Sequence, residues 1–292
     1  MFLGELSTDD LRLIYTSIFR RTAKYEESVD KDVMDLGLDE CVDLLTFMNP
    51  KSITSIEAYK SQFRKYTAWG INKGLSVNRQ NYWTIISSDS DIVKISYQKR
   101  YVKNIDELVS IVETSLNAPY DKYVVYLLYM GIMGENCIEI SLLKDEDIDQ
   151  IQKTITTSRR KYNIIEPLYE LIVNPGHWDE KKTRDDNSPY FVKPFKSKKL
   201  DGLPVSTQYL QRVFFKLNEA YFQNTGEKRF YVPMTIWRSG MFNMLYGIEK
   251  TKGILINDDF LYVCGIYGKK TDPSGLHSVA REYEVYRATF YE

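Results

Sequence analysis

Side chains that ligate transition metals through nitrogen or sulfur are scarce: 2 histidines and 3 cysteines in 292 residues. Cys41, Cys137 and Cys264 are widely spaced, form no ligand pair and are odd in number. That argues against both a zinc site and a disulfide framework, and each is expected to be a small core hydrophobe in a reducing compartment. No cofactor or metal is expected. Apolar runs fall far short of the roughly 20 residues that span a bilayer. The opening Met-Phe-Leu-Gly-Glu-Leu-Ser-Thr has no basic region leading into a long apolar stretch, so no signal peptide is expected and the location is read as cytoplasmic. No internal repeat or low-complexity tract is present. A net charge of −1 leaves no overall basic excess, which taken alone argues against a nucleic-acid partner.

What is present supports real cores. Hydrophobic residues make up 43% and aromatics 14%, with 27% charged and well mixed, and the length suggests two domains. Charge is unevenly distributed. An acidic stretch from Glu26 to Asp43 stands apart from basic clusters at 98–103, 158–161 and 193–199. A two-signed surface with one basic face is compatible with that distribution.

Helical periodicity dominates the first 95 residues. Ser7-Thr-Asp-Asp is a capping signal, followed by Leu11, Ile14, Tyr15 and Ile18 at helical spacing. Asp39 to Met48 forms a second segment ending before Asn49-Pro50. A third opens at Ser52 and carries the aromatic stripe Tyr59, Phe63, Tyr66 and Trp69, read as core packing. Asn78 to Ser87 is expected to be a short fourth helix, and 96–104 a basic linker. Beyond it, Asn104-Ile-Asp-Glu-Leu starts a helix with acids in its first turn. Asp121 to Met130 is apolar enough to be central to a core. Two strands are expected around the basic turn Ser158-Arg-Arg. Helices follow at Pro167–Val173, Ser206–Phe222, Pro233–Leu245 and Asp258–Val263. A loop-rich stretch runs from Asn174 to Asp201, most flexible at Asp185 to Pro189. His177 and His277 read as ordinary loop histidines.

Two segments carry a more specific pattern. Tyr126-Leu-Leu-Tyr-Met-Gly131-Ile-Met-Gly-Glu-Asn-Cys-Ile-Glu139 and Val232-Pro-Met-Thr-Ile-Trp-Arg238-Ser-Gly-Met-Phe-Asn-Met-Leu245 resemble, in order and separation, the two catalytic boxes of tyrosine recombinases (phage integrases). Ser55 to Tyr66 looks like that family's core-binding helix, and the resemblance covers roughly residues 50 to 290. It implies a mainly α fold with a small β-sheet. A helical, SAM-like core-binding domain (1–95), a basic linker (96–104) and a recombinase-like C-terminal domain (105–292) would follow one another.

The family's chemistry needs a nucleophilic tyrosine, two arginines, two His-type residues and a hairpin lysine around one phosphodiester. This sequence departs from that set. Met133 stands at the first arginine position, Thr235 at the histidine of the His-x-x-Arg pattern, and Ile266 at the histidine of the Leu-Gly-His box. Arg238 and Glu139 are kept, and Tyr283, Tyr286 and Tyr291 are the tyrosine candidates. Losing one preorganised donor at such a site typically costs about 3–4 kcal/mol of transition-state stabilisation, so cleavage is not expected.

The expectation is therefore a catalytically inactive, integrase-like protein that binds double-stranded DNA, resembling integrase-fold repressors of SPβ-like prophages. Phosphate-contact candidates are Lys60, Arg64 and Lys65 on the core-binding helix and Lys99, Arg100 and Lys103 in the linker. Arg159, Arg160 and Lys161 at the hairpin, Lys196, Lys198 and Lys199 beyond it, and Arg238 complete the set. For Arg238 a structural pair with Glu139 or another carboxylate is the other reading. Two functional alternatives stay open: a divergent active recombinase using Arg238, Lys161 and a C-terminal tyrosine, and a non-DNA accessory protein. In the family the C-terminal segment often docks on a neighbouring subunit. Residues 281–292 would do so here, forming a homo-oligomer, or fold back on their own domain.

Overall fold

The structure, a computed structural model, describes residues 2–48, 50, 53–86, 91–176, 183–196, 202–269 and 272–292. It divides into two compact units, Met1–Tyr97 and Gln98–Glu292. The architecture is mainly α with one small three-stranded sheet among the described residues.

The first unit contains α1 (Asp9–Val29), α2 (Leu38–Met48), α3 (Ile53–Asn72) and α4 (Asp91–Gln98). Thr8 caps α1 by accepting from Leu11 N at 3.3 Å, with Asp9 and Asp10 in the first turn where the helix dipole favours negative charge. Tyr15, Ile18, Thr22 and Tyr25 form its buried face, whereas Leu11 and Ile14 are exposed. Of the aromatic stripe of α3, Phe63 is core, fully buried 4.6 Å from Trp83, while Tyr59, Tyr66 and Trp69 are half-buried, Tyr66 stacking on Trp69.

The helix expected from Asn78 is reduced to a 3₁₀ turn, Tyr82–Thr84. Asp35 is the physical reason. Its Oδ1 accepts from Ser76 Oγ at 2.9 Å and from Val77 N at 2.6 Å, and Arg79 takes φ 50°. Backbone donors that a helix would use are spent on that carboxylate.

The second unit contains α5 (Ile105–Ser115), α6 (Pro119–Tyr129), α7 (Ile138–Leu142), α8 (Glu166–Val173), α9 (Thr207–Thr225), α10 (Pro233–Lys252), α11 (Asn257–Tyr267) and α12 (Pro273–Phe290). Strands β1 (Ile148–Asp149), β2 (Thr154–Thr156) and β3 (Lys161–Asn163) pair antiparallel in sequence order, with Ile155 opposite Tyr162. As its composition predicts, α6 is the central helix: Tyr123 to Leu128 are all buried, the mark of a helix surrounded by protein. Ser206 caps α9. Cys41, Cys137 and Cys264 are buried and unbridged.

Three expectations about local order change. The stretch around Asp185 to Pro189 is tied down: Asp185 N donates to Pro194 O and Asp145 N to Pro189 O. Arg184, buried, lies 4.0 Å from the Phe195 ring. His277 lies on α12 and not in a loop, because Asp272 caps the helix through Gly275 N and Pro273 pre-sets its first turn. His177 falls outside the described residues.

The segment 96–104 also differs from a free linker. α4 runs through Gln98. Phe230 N donates to Lys99 O at 2.8 Å, Ser239 Oγ accepts from Val102 N at 3.0 Å, and Glu107 accepts from Lys103 N at 2.5 Å. Tyr101 and Val102 are buried. The alternation of two apolar residues among basic ones conceals a segment bonded into the second unit.

Candidate functional site

The two boxes meet at a close helix crossing. Gly240 on α10 lies against the backbone carbonyl of Tyr129 at the end of α6. A Cβ there would overlap the Tyr129 oxygen and come within 2.8 Å of its carbonyl carbon. Tyr267 of α11 closes the junction, its hydroxyl donating to the same Tyr129 carbonyl at 2.8 Å. Gly131 follows with φ 103°, its missing Cβ facing the Tyr267 ring. Its carbonyl accepts from Trp237 Nε1 at 3.3 Å. Glycine is required at both positions, once for space and once for conformation.

The side chains around this junction are committed to packing and capping. Met133 is half-buried and packs on the core. Thr235, third residue of α10, turns its hydroxyl to the helix start: Oγ1 accepts from Val232 N at 3.0 Å and lies 3.0 Å from Val232 O. It caps the helix, and so satisfies backbone that a histidine would leave open. Ile266 contributes only its carbonyl, which accepts from Arg160 Nη1 at 2.7 Å.

Arg238 is paired. Its Nη1 donates to Glu282 of α12, and it also hydrogen-bonds the hydroxyl of buried Tyr101, whose pKa burial pushes up while the guanidinium opposes. Lys269 stands nearby; burial first, and the Arg238 charge second, hold its pKa below the usual lysine value. Glu139 pairs instead with Arg159 Nε at 3.4 Å.

The C-terminal tyrosines are committed to packing. Tyr283 is buried and its hydroxyl donates to Glu249 of α10; burial, then Glu249, raise its pKa. Tyr286 is fully buried, donating to Val102 O and Lys103 O at 2.7 Å each. Tyr291 stacks on Tyr246 with ring centroids 3.6 Å apart. Of the two dispositions foreseen for residues 281–292, the structure has the fold back onto the same unit.

The basic candidates differ in exposure and in partners. In the first unit Arg64 and Lys65 are exposed on α3, while Lys60 lies beside Glu57 at 3.7 Å. In the second, Arg159 and Lys161 are exposed at the hairpin, Arg160 reaches across to α11, Lys103 is exposed, Lys99 half-buried and Arg100 buried. Lys196 is exposed, and Lys198 and Lys199 lie outside the described residues. An open cleft of about 450 Å³ sits between hairpin and α11, lined by Arg160, Lys161, Tyr162, Leu261, Tyr262, Gly265 and Ile266. Sequence reasoning missed Glu282, Lys269 and Tyr101. Only the apolar setting of Arg238, which demands a partner, hinted at them. No group of three or more metal-ligating side chains exists among the described residues, and no described helix is long and apolar enough to cross a membrane.

Residues 1–72 match the family model of the MrpR N-terminal core-binding domain. That span takes in α1, α2 and α3. No curated protein matches the sequence. Among solved structures, the chain is similar to the Tn1549 transposon integrase in complex with circular intermediate DNA, at 16% identity and a TM-score of 0.41, covering 94% of this chain and 90% of that one. It is also similar to XerA recombinase, at 15% identity and a TM-score of 0.42, covering 93% and 92%.

Proposed function

We propose that this chain binds double-stranded DNA without cutting it and serves as a transcriptional repressor of a phage or mobile element. The core-binding match over residues 1–72 supports the binding half. The observation that carries the non-cutting half is the pairing of Arg238 with Glu282. The one retained arginine of the two boxes has its charge met by a carboxylate of the same chain, where a phosphodiester would need it free.

The surrounding groups agree. Met133 supplies neither charge nor a hydrogen bond, Thr235 caps its helix, and the hydroxyls of Tyr283 and Tyr286 are buried with partners. A buried phenol whose ionisation is disfavoured by burial is a poor nucleophile. Binding then falls to exposed cations: Arg64 and Lys65 in one unit, Lys103, Arg159, Lys161 and Lys196 in the other. Such contacts make affinity steeply salt-dependent.

The test combines two assays on the intact protein. Binding to phage promoter fragments at two salt concentrations is expected to weaken strongly with salt. A suicide substrate bearing a strand nick is expected to trap no covalent adduct. An adduct lost on Tyr283→Phe or Tyr286→Phe would establish a divergent recombinase instead. Binding indifferent to salt would favour a non-DNA accessory role.

A further inference from the structure

The segment joining the two units is held by the C-terminal helix through backbone carbonyls. Tyr286 Oη donates to Val102 O and Lys103 O at 2.7 Å, and Tyr291 Oη reaches Lys103 O at 2.5 Å. Asn243 of α10 donates to Lys103 O at 2.7 Å and to Tyr286 Oη at 2.6 Å, linking both elements to one point. The Tyr101 ring meets Tyr286 edge-on at 6.2 Å and Phe242 at 5.9 Å. Glu282 braces Arg238, which bonds the Tyr101 hydroxyl.

We infer that α12 is a latch on residues 101–103, and that Arg238 is a positioning residue of this latch. Three α12-side groups bear on three consecutive connector residues. Glu282 acts on Tyr101 through Arg238, Tyr286 on Val102 and Lys103, and Tyr291 on Lys103. The remaining anchors come from elsewhere: Ser239 to Val102 N, Glu107 to Lys103 N, Phe230 N to Lys99 O and Asn243 to Lys103 O. Lifting α12 leaves those anchors alone and frees the carbonyls at 102 and most of 103. Each residue released lengthens the tether between the units by up to about 3.3–3.6 Å.

Two aromatic hydroxyls and one ion pair at the C-terminal helix form a small, separable contact set. Local opening of such a set needs less free energy than global unfolding. Any ligand that competes for the buried α12 face, Val279, Tyr283 and Tyr286, would open it. The latch does not depend on DNA binding. If the DNA-binding reading also holds, a longer tether lowers the effective concentration of one unit at its site once the other has bound.

Hydrogen exchange on the full-length free protein tests the latch. In Tyr286→Phe with Tyr291→Phe, the amides of Val102 and Lys103 are expected to exchange at least about tenfold faster, with α6 amides unchanged. Tyr283→Phe removes an α12 hydroxyl bonded only to Glu249, and is expected to leave 102 and 103 as protected as in the parent. Equal protection in parent and double variant overturns the latch, and so does equal loosening by Tyr283→Phe. If the double variant loses α6 protection and so fails to fold, Tyr291→Phe alone decides. It keeps the buried Tyr286, and a rise of about threefold at Lys103 is expected; no rise overturns the latch. Loss of DNA affinity with unchanged exchange rejects the latch and leaves the DNA-binding reading intact. Faster exchange with no DNA binding in the parent does the reverse.

Discussion

Arg238 and Glu282 stand 44 positions apart in sequence and form an ion pair between α10 and α12. Both side chains are mostly buried, at 23% and 14% exposure. A guanidinium in that setting must be matched by negative charge. Here the match is internal, and it converts a residue type suited to holding phosphate into one that fastens the last helix.

Removing one partner leaves the other charge partly buried. Arg238→Ala and Glu282→Gln are each expected to lower stability by about 2–3 kcal/mol in urea denaturation. The double variant is expected to lose less than the sum, because the second change removes a charge already orphaned. Strict additivity would show that the pair contributes nothing.

Gly240→Ala is expected to be severely destabilising, by about 3 kcal/mol or more. Its Cβ meets the Tyr129 backbone, which cannot swing aside as a side chain would. Gly247 provides the control on the same helix. No atom lies within 4 Å of its Cβ position, so Gly247→Ala is expected to stabilise by about 0.5–1 kcal/mol through helix propensity. Thermal melting of the two variants should move in opposite directions.

What the sequence disclosed follows physical range. The apolar faces of α6 and α10 are set by neighbours three and four positions away, so periodicity finds them. The capping of α9 by Ser206 and the strand pair around Arg159 are equally local. Glu282 was not legible, because nothing within a turn of Arg238 points to α12. The helix absent from Asn78 onward depends on Asp35, and the fixed connector on Tyr286 and Tyr291. Asp272-Pro273 was a readable start signal for α12, outweighed by the polar look of the residues after Gly275. At the candidate site, the sequence showed that Arg238 sits in an apolar helix and needs a partner. It did not reveal which partner that is.

Alkaline pH should unseat α12. Burial raises the pKa of Tyr101, Tyr283 and Tyr286 above the ordinary value near 10. Above pH 10 the unfolded chain therefore releases protons that the folded chain keeps. The stability these phenols contribute is complete below pH 10 and declines as pH rises through their folded values. Urea midpoints are expected to hold to about pH 9.5 and fall beyond it. Tyr283→Phe should flatten that fall, because one raised phenol is gone; an unchanged slope would exclude Tyr283 from the linkage.

The hairpin separates cations that bind from cations that build. Arg160 donates to Ile266 O across to α11, so Arg160→Ala leaves that carbonyl without a charged donor and is expected to cost about 1–2 kcal/mol of stability. Lys161 begins β3 with its side chain exposed, and Lys161→Ala should shift stability by less than about 0.5 kcal/mol. On DNA the ranking is expected to reverse. If Lys161 meets a phosphate, the slope of log affinity against log salt becomes shallower by about 0.9 in Lys161→Ala, the value for one phosphate on a duplex. Arg159 already shares charge with Glu139 at 3.4 Å, so Arg159→Ala should alter the slope less than Lys161→Ala does. Titrations of the three variants at four salt concentrations measure all three effects together. A slope unmoved by Lys161→Ala would take the hairpin out of the interface and leave the exposed cations of α3, Arg64 and Lys65, as the next to be replaced.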